Sequence, residues 1–511
     1  MSENKDNQYS FLENNANAVR AVMSAVDNTI GPKGLDTMLV DQFGQVVITN
    51  DGVTILREMA VSHPVAKMLI NAVKAQQEAV GDGTTTVALM AGELILSGIE
   101  QMLRGVPAAQ VIAGIRAGIT TAHQAMACSA QPVTAEDRDA LYQIALIAGR
   151  EHADIAQLIT EGVALIGRDK LLEEGFKLSD MVKAVEGADN EVFSGVLVEK
   201  ERADRQMPLA VHDDVHILVL DDALEPERLE DEALATESGF KHYLALRQTF
   251  KEQLQKIIIT GARVVFVDRG LDDLALETLS EAGIMVVSRV PHKTLEAIAE
   301  HTGARMIKRS TLEKPPAELA KVLGRAEAVV GDEKRQQIKV IGGAGKPMAT
   351  VLVGASTGEI VGERERIAKD AAASVQAAVQ YGLVVGGGAG ELAIARQLED
   401  VKNDLPPMAA FGVDCVMNAL RQPFWHIAAN AGFNPLEKLS EINKAQITAK
   451  SAHLGLDCDS GEVADLFERG IVDPAYVKLH GLTVAGEVAE AVLRIHIIVK
   501  KKEYQPTEAS S

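Results

Sequence analysis

The texture of the chain changes twice along its length, and that alternation constrains the fold more than any single motif. From about Val19 to Ala130 the pattern is helical and rich in alanine. In the middle, Val215–Leu220 (VHILVL), Arg263–Asp268 (RVVFVD) and Ile284–Val290 (IMVVSRV) are short apolar runs separated by helical stretches, as in an α/β layer. After a strand at Thr350–Val353 and an alanine-rich helix at Glu359–Tyr381, the cluster Gly386-Gly387-Gly388 opens a second mostly helical region. The two ends resemble each other and the middle resembles neither. A discontinuous domain, built from both ends with other domains inserted, explains this better than beads on a string. The 511 residues allow roughly two to four domains. Hydrophobic residues make up 47% but aromatics only 4%, so alanine, valine, isoleucine and leucine do most of the packing.

Within the first helical region, Pro64 to Val80 carries Val65, Leu69, Ala72 and Ala79 with charged or amide residues between them. Val87 to Leu103 is apolar around more of its circumference, which predicts a deep core helix. A short extended stretch, Gln45 to Thr49, precedes them and ends in Asn50-Asp51-Gly52. Residues from about Pro132 to Lys200 are mixed in pattern. Roughly 40 residues separate Leu220 from Arg263, long for a connection in a compact unit. Its middle, Thr236 to Gln255, is polar with a thin line of Phe240, Tyr243, Leu246 and Phe250, and predicts a projecting, partly exposed helix. The tail from Lys500 is polar.

Charge narrows the function. The 51 basic and 72 acidic residues leave a net charge of −21, which argues against nucleic acid as the main partner. The acidity fits solubility, and equally an acidic wall that repels compacted acidic chains. Three cysteines, far apart, predict free and mostly buried thiols in a reducing cytoplasm. The first 15 residues lack a basic and then apolar pattern, so they do not read as a signal peptide. No uninterrupted apolar run reaches the length of a membrane span. The expectation is a soluble, cytoplasmic protein.

Gly81-Asp82-Gly83-Thr84-Thr85-Thr86 lies between two strong helical patterns, at the start of the second. Glycines let backbone N–H groups approach an anion, and a helix start offers unpaired donors. The threonine hydroxyls add donors for phosphate oxygens. An aspartate in such a loop repels phosphate by itself, so its presence suggests Mg²⁺ between carboxylate and phosphate. The same residues also read as a turn with a threonine N-cap. No Gly-Lys-Ser/Thr follows, so this is not a Walker A loop. Other segments are ordinary when taken alone: Asn50-Asp51-Gly52 reads as a turn, Asp370 as a solvated helical aspartate, Thr29-Ile30-Gly31-Pro32-Lys33-Gly34 as a helix stop, and Gly386–Gly388 with Glu391 as a hinge.

Gly354-Ala355-Ser356-Thr357-Gly358 fits the G-x-S-x-G elbow, with His426, His453, His480 and His496 downstream. In a chain with 42 glycines the pattern arises easily by chance, and no oxyanion-loop motif precedes it. His212 and His216 are four apart but fall at an expected strand, where they do not stand side by side as helical metal ligands do, being about 13 Å apart along it.

Together the segments TIGPKGLDTMLVD (29–41), VVITNDGVTILREM (46–59), HPVAKML (63–69), VGDGTTTVALMAGELI (80–95), GARVVFVDRGLDDLA (261–275), VVGGGAGE (384–391), NAGFNP (430–435) and GIVDPAYVK (470–478) resemble the chaperonin family. They are more similar to its group II branch, the thermosome and eukaryotic cytosolic type. The resemblance implies a multidomain α and α/β fold in three parts. These are a mostly helical equatorial ATPase domain (1–131 and 388–511), an α/β intermediate hinge domain (132–202 and 350–387), and an α/β apical domain (203–349). The apical domain would bind non-native protein and carry a helical lid protrusion at about 222–258.

By the same resemblance Asp82 coordinates Mg²⁺, while Gly83, Thr84, Thr85 and Thr86 hold the phosphates of ATP. Asp51 and Asp370 position or activate the attacking water. Gly31, Pro32, Gly387 and Asp473 contact the nucleoside, and Thr29, Ile30, Asn50, Gly52 and Gly388 complete the ATP contacts. Asp370 would reach the site only when the hinge closes. The implied assembly is a homo-oligomeric double ring with non-native protein clients and no separate co-chaperonin lid, since the protrusion serves as one. Where the group II pattern usually has Gly-Lys, this chain has Gly149-Arg150, which makes Arg150 a candidate phosphate sensor with altered reach. The stretches around Glu199-Lys200-Glu201 and Thr311–Arg335 match the family loosely, marking a divergent member. The competing expectation is a nucleotide-binding assembly scaffold without folding activity.

Overall fold

Helix-period runs of small apolar residues become long helices at both chain ends. The computed structural model describes residues 2–40, 46–227 and 237–498. The chain divides into two units, Met1–Ala156 with Lys369–Ser511, and Gln157–Ala368. The segments expected to form a hinge domain are shared between them.

The first unit begins with α1 (Ser2–Ser24), α2 (Gly52–Glu58), α3 (Pro64–Ala79), α4 (Thr84–Leu103), α5 (Ala108–Ser129) and α6 (Arg138–Ala148). Pro64 opens α3 at the position where a missing N–H costs nothing, and Val65, Ala66, Leu69, Ile70, Val73 and Gln76 form its buried face. α4 is long and apolar enough to cross a membrane, yet 67% of its most apolar stretch is buried inside the protein, as in a core helix. Between α1 and α2 lies a hairpin of β1 (Thr37–Val40) and β2 (Val46–Thr49), with Met38 opposite Ile48 and Val40 opposite Val46. All four of these apolar side chains are exposed.

The second unit is layered. After α7 (Ala153–Ile166) and α8 (Arg168–Leu171) come β3 (Val182–Glu186), β4 (Glu191–Val198), β5 (Ala210–Leu220) and α9 (Glu237–Ile259). Next are β6 (Val264–Val267), α10 (Asp273–Glu281), β7 (Met285–Val287), α11 (His292–Thr302) and α12 (Pro316–Leu319). β8 (Gly324–Asp332), β9 (Gln337–Gly343), β10 (Ala349–Ala355) and α13 (Gly358–Tyr381) follow. Eight strands form one sheet in the order β3-β10-β4-β9-β8-β5-β6-β7, with β5, β6 and β7 parallel. One apolar cluster joins the sheet to α11 and another joins it to α9 and α10.

Three expectations need adjustment here. β5 starts at Ala210 rather than Val215, because a bulge between His212 and Val215 hides the polar His212-Asp213-Asp214 inside a longer strand. The β8–β9 hairpin falls in a region that had no expected strand, since β8 alternates buried and exposed positions without an apolar run. Cys128 is exposed, although Cys415 is buried and Cys458 half-buried; all three are free. The expected helical excursion is α9. Its first half is open, with Phe240 and Leu244 exposed, and its second half docks through Phe250, Leu254 and Ile257. Residues 228–236 of the expected protrusion and the tail from Lys500 lie outside the described residues.

The chain re-enters the first unit at Lys369, within α13, and continues with β11 (Leu383–Val385), α14 (Ala389–Val401), α15 (Pro407–Asn430), α16 (Pro435–Ala449), β12 (Leu454–Leu456), β13 (Val463–Asp465), β14 (Val472–Pro474) and α17 (Ala475–Leu493). Val87 and Leu94 from one end share a core with Val416, Leu420 and Leu482 from the other, so this unit is discontinuous as the texture implied. β11 pairs antiparallel with β14, which places Asp473 opposite Val384.

Candidate functional site

The loop between α3 and α4 turns on two glycines in left-handed backbone, Gly81 at φ +82° and Gly83 at φ +76°. Gly83 is the N-cap of α4 and no side chain caps that helix, so the first-turn N–H groups face outward from the loop. An alanine methyl at Gly83 would meet Val477 Cγ1 at 2.6 Å, so glycine is required by space as well as by conformation. Fully buried Gln76 braces the loop: its Nε2 donates to Asp82 O (2.9 Å) and Val477 O (3.2 Å), while its Oε1 contacts His480 Nδ1 at 2.6 Å.

Two other turns converge on α4. Thr29 Oγ1 lies 3.4 Å from Thr85 Oγ1. A methyl on Gly52 would stand 2.5 Å from Thr85 Oγ1 and 3.5 Å from Thr84 Oγ1. Thr86 follows on the same turn. The Ile30–Pro32 turn contains Gly31 at φ +90° and packs on Ile427, and Asn430 Nδ2 donates to Asp27 O (2.9 Å) and Ile30 O (3.0 Å). Asp51 has a structural task that the sequence did not reveal: it is the N-cap of α2, where Oδ2 accepts from Thr54 N (3.0 Å) and Thr54 Oγ1 (2.5 Å). Beside it, Asn50 Oδ1 is buried without a hydrogen-bond partner.

α13 brings Asp370 to the same place. Ser374, one turn further along and fully buried, donates from Oγ to Asp82 Oδ2 at 3.2 Å, and Gln77 Nε2 lies 3.4 Å from Asp370 Oδ1. This face of the helix therefore already rests on the loop. Arg150 follows the C-cap of α6, and it and Glu151 both adopt positive φ (52° and 61°). A methyl on Gly149 would be 3.6 Å from Ala371 Cβ, so the Arg150 turn sits beside the Asp370 segment.

The far wall is the Gly386–Gly388 turn with Asp473. A methyl on Gly386 would lie 3.3 Å from Asp473 Oδ2, and those on Gly387 and Gly388 would meet Leu466 Cδ1 (2.9 Å) and Phe424 N (2.8 Å). Buried Lys478 joins Asp473 Oδ2 (2.9 Å) to Glu391 Oε1 (2.5 Å). Burial opposes its positive charge, but the two carboxylates hold its pKa well above the ordinary lysine value. Burial pushes the Asp82 carboxyl up and the charge of Asp473 adds to this, while Gly83 N–H, Ser374 and Lys478 pull it down.

Asp82 lies near Asp473 in a buried setting, and its carboxylate oxygens are donors of the kind that fits a hard divalent cation such as Mg²⁺. The adjoining uncapped helix start and glycine-lined space fit an anionic phosphate group. Of the turns singled out in the sequence, those at Thr29 and Gly52 approach Thr85, that at Gly149 approaches Ala371, and that at Gly386 approaches Asp473. Sequence reasoning missed Ser374, Gln76, Lys478 and Asn430. Ser374 was detectable in principle, being four residues after Asp370 and so on the same helix face; a buried lysine carries no such signal. In the second unit, Asp221, Asp268 and His292 also approach one another, but Lys308 already pairs with Asp221 at 2.7 Å. Ser356 is exposed in that unit, whereas the four histidines considered with it belong to the first.

The model of the TCP-1/cpn60 chaperonin family matches residues 22–503. Thermosome subunit alpha of Archaeoglobus fulgidus is 35% identical over 505 residues, covering 96% of this chain and 91% of that protein. A thermosome subunit of Methanopyrus kandleri is 33% identical over 515 residues, covering 96% and 92%. A crystal structure described as a group III chaperonin in the open state superposes with a TM-score of 0.87 and 44% identity, covering 96% of this chain and 99% of that one. With this coverage and the shared fold, the chain belongs to the TCP-1/cpn60 chaperonin family and is a thermosome-like chaperonin subunit.

Proposed function

We propose that this subunit binds Mg-ATP at the cluster around Asp82 and hydrolyses it to drive a folding chamber for non-native proteins. The observation that carries this reading is the Ser374–Asp82 hydrogen bond, which sets the helix bearing Asp370 against an uncapped, glycine-flanked helix start. Asp82 would hold Mg²⁺, which neutralises charge on the triphosphate during phosphoryl transfer. Thr84, Thr85, Thr86 and the N–H groups of the first turn of α4 bind and orient phosphate oxygens. Asp51 and Asp370 orient the attacking water from two sides. Thr29 to Pro32, Asn50, Gly52, Gly387, Gly388 and Asp473 wall the nucleotide, and Arg150 senses its phosphates from the neighbouring turn.

The proposed domain roles follow the boundaries given above: equatorial ATPase, intermediate hinge and apical client-binding domain. The exposed first half of α9 supports a built-in lid, and the exposed face of the β1–β2 hairpin supports self-association into rings. A cytoplasmic double ring of identical subunits, working without a separate co-chaperonin, is the assembly most consistent with these features. The variant combining Asp51→Ala with Asp370→Ala is expected to retain ATP binding and lose at least about a hundredfold in turnover. Steady-state hydrolysis measured beside equilibrium nucleotide binding checks this, and unchanged turnover removes the proposed roles of both carboxylates.

A further inference from the structure

Lys478 is a buried ammonium with no direct place in the phosphate cradle, and its surroundings suggest why it is there. It lies in the first turns of α17, five residues after Asp473 on β14, and reaches back to Asp473 Oδ2 at 2.9 Å. On its other side it grips Glu391 Oε1 at 2.5 Å, and Glu391 is itself 1% exposed in the first turn of α14. The second oxygen of Glu391 is buried without a hydrogen-bond partner. A buried charge held in this way is an expensive device for stability alone, since a well-packed apolar side chain is often as good. Its geometric product is a fixed Asp473. One carboxylate oxygen is held by Lys478 beside Gly386, where a methyl would stand only 3.3 Å from it, while the side chain keeps 29% of its surface exposed.

We propose that Lys478 is a specificity-determining positioning residue: anchored by Glu391, it clamps Asp473 so that Asp473 Oδ1 accepts a hydrogen bond from a ribose hydroxyl of the bound nucleotide. The inference rests on the reading of this cluster as a nucleotide site with Asp473 on its nucleoside side. A clamped acceptor discriminates better than a mobile one, because a nucleotide lacking the hydroxyl leaves a fixed carboxylate unpaired.

The test compares KM for ATP and for 2′,3′-dideoxy-ATP in the assembled protein. The wild-type chain is expected to prefer ATP by about tenfold or more, the scale of a hydrogen bond to a charged group. Lys478→Met should raise KM for ATP and bring the ratio close to one, with kcat changed far less. Lys478→Arg, which keeps the charge, should restore part of the preference. Asp473→Asn should lose the preference as Lys478→Met does. If Lys478→Met is unstable because Glu391 is left buried and unpaired, the double variant Lys478→Met with Glu391→Met removes both charges and is read in the same way. A merely structural lysine would lower thermal stability and leave the ratio intact. Retention of the wild-type ratio by the Lys478 variants while Asp473→Asn loses it overturns the clamp. Retention by Asp473→Asn as well overturns the nucleoside assignment of Asp473, and the clamp falls with it.

Discussion

Single atoms decide whether the cluster around α4 can close. At Gly52 the nearest obstacle to a methyl is Thr85 Oγ1, the end of a rotatable side chain, and not backbone. Gly52→Ala is therefore expected to fold with a stability loss of only about 1 kcal/mol. It should nevertheless turn the Thr85 hydroxyl out of the proposed phosphate cradle and weaken ATP binding by about tenfold, the loss of roughly one good hydrogen bond. Calorimetric titration with Mg-ATP beside a thermal melt separates the two effects; equal ATP affinity with a large drop in melting temperature would show that Gly52 serves packing alone. Asp51 shows the converse limit of reading residues one at a time. Its sequence context, Asn-Asp-Gly, reads as a turn, and its capping of α2 through Thr54 is visible only with the helix in place. Asp51→Ala thus removes a helix cap, worth about 1 kcal/mol, along with any catalytic role, so turnover must be compared at temperatures where the variant is folded.

At the scale of elements, α9 divides by burial along its own length. The half from Phe250 onward belongs to the core of the second unit, and the half before it presents Phe240 and Leu244 to solvent. Removing residues 238–249 is expected to spare ATP hydrolysis and to abolish protection of a captured, denatured substrate from protease. Continued protection would mean that this helix is not the lid. The thin apolar line of Phe240, Tyr243, Leu246 and Phe250 was legible as a helix in the sequence, and so was its partial exposure, because too few apolar positions were available to bury it on both sides. The β8–β9 hairpin was not legible. Half-buried strands alternate with period two, and in β8 that alternation is carried by small and charged residues which any surface segment also contains.

For the whole molecule, the hairpin β1–β2 is the clearest surface that a lone subunit leaves unsatisfied. Met38, Val40, Val46 and Ile48 are each more than half exposed and share one face of a two-stranded sheet. Two strands alone are marginal in water, so this element gains most from a partner. The double variant Val46→Lys with Ile48→Lys is expected to leave each subunit folded, since neither side chain contributes to the core, and to shift the proposed ring to monomer. Sedimentation or end-on electron micrographs read the outcome directly, and intact rings would place the subunit contact elsewhere.

The sequence by itself carried the two changes of texture along the chain, the three apolar runs that form β5, β6 and β7, and the positions of the turns that approach α4. Each is written in local signals: helical or strand periodicity, glycines where the backbone turns to positive φ, and motif runs held in order along the chain. Only the tertiary structure decided that Ser374 touches Asp82, that Gln76 braces the loop, and that Lys478 is buried between Glu391 and Asp473. Those contacts join residues hundreds of positions apart, and a side chain's type does not state its partner. A lysine is an exposed solvated cation by default, and becomes a buried clamp only because two carboxylates from separate elements arrive at the same point.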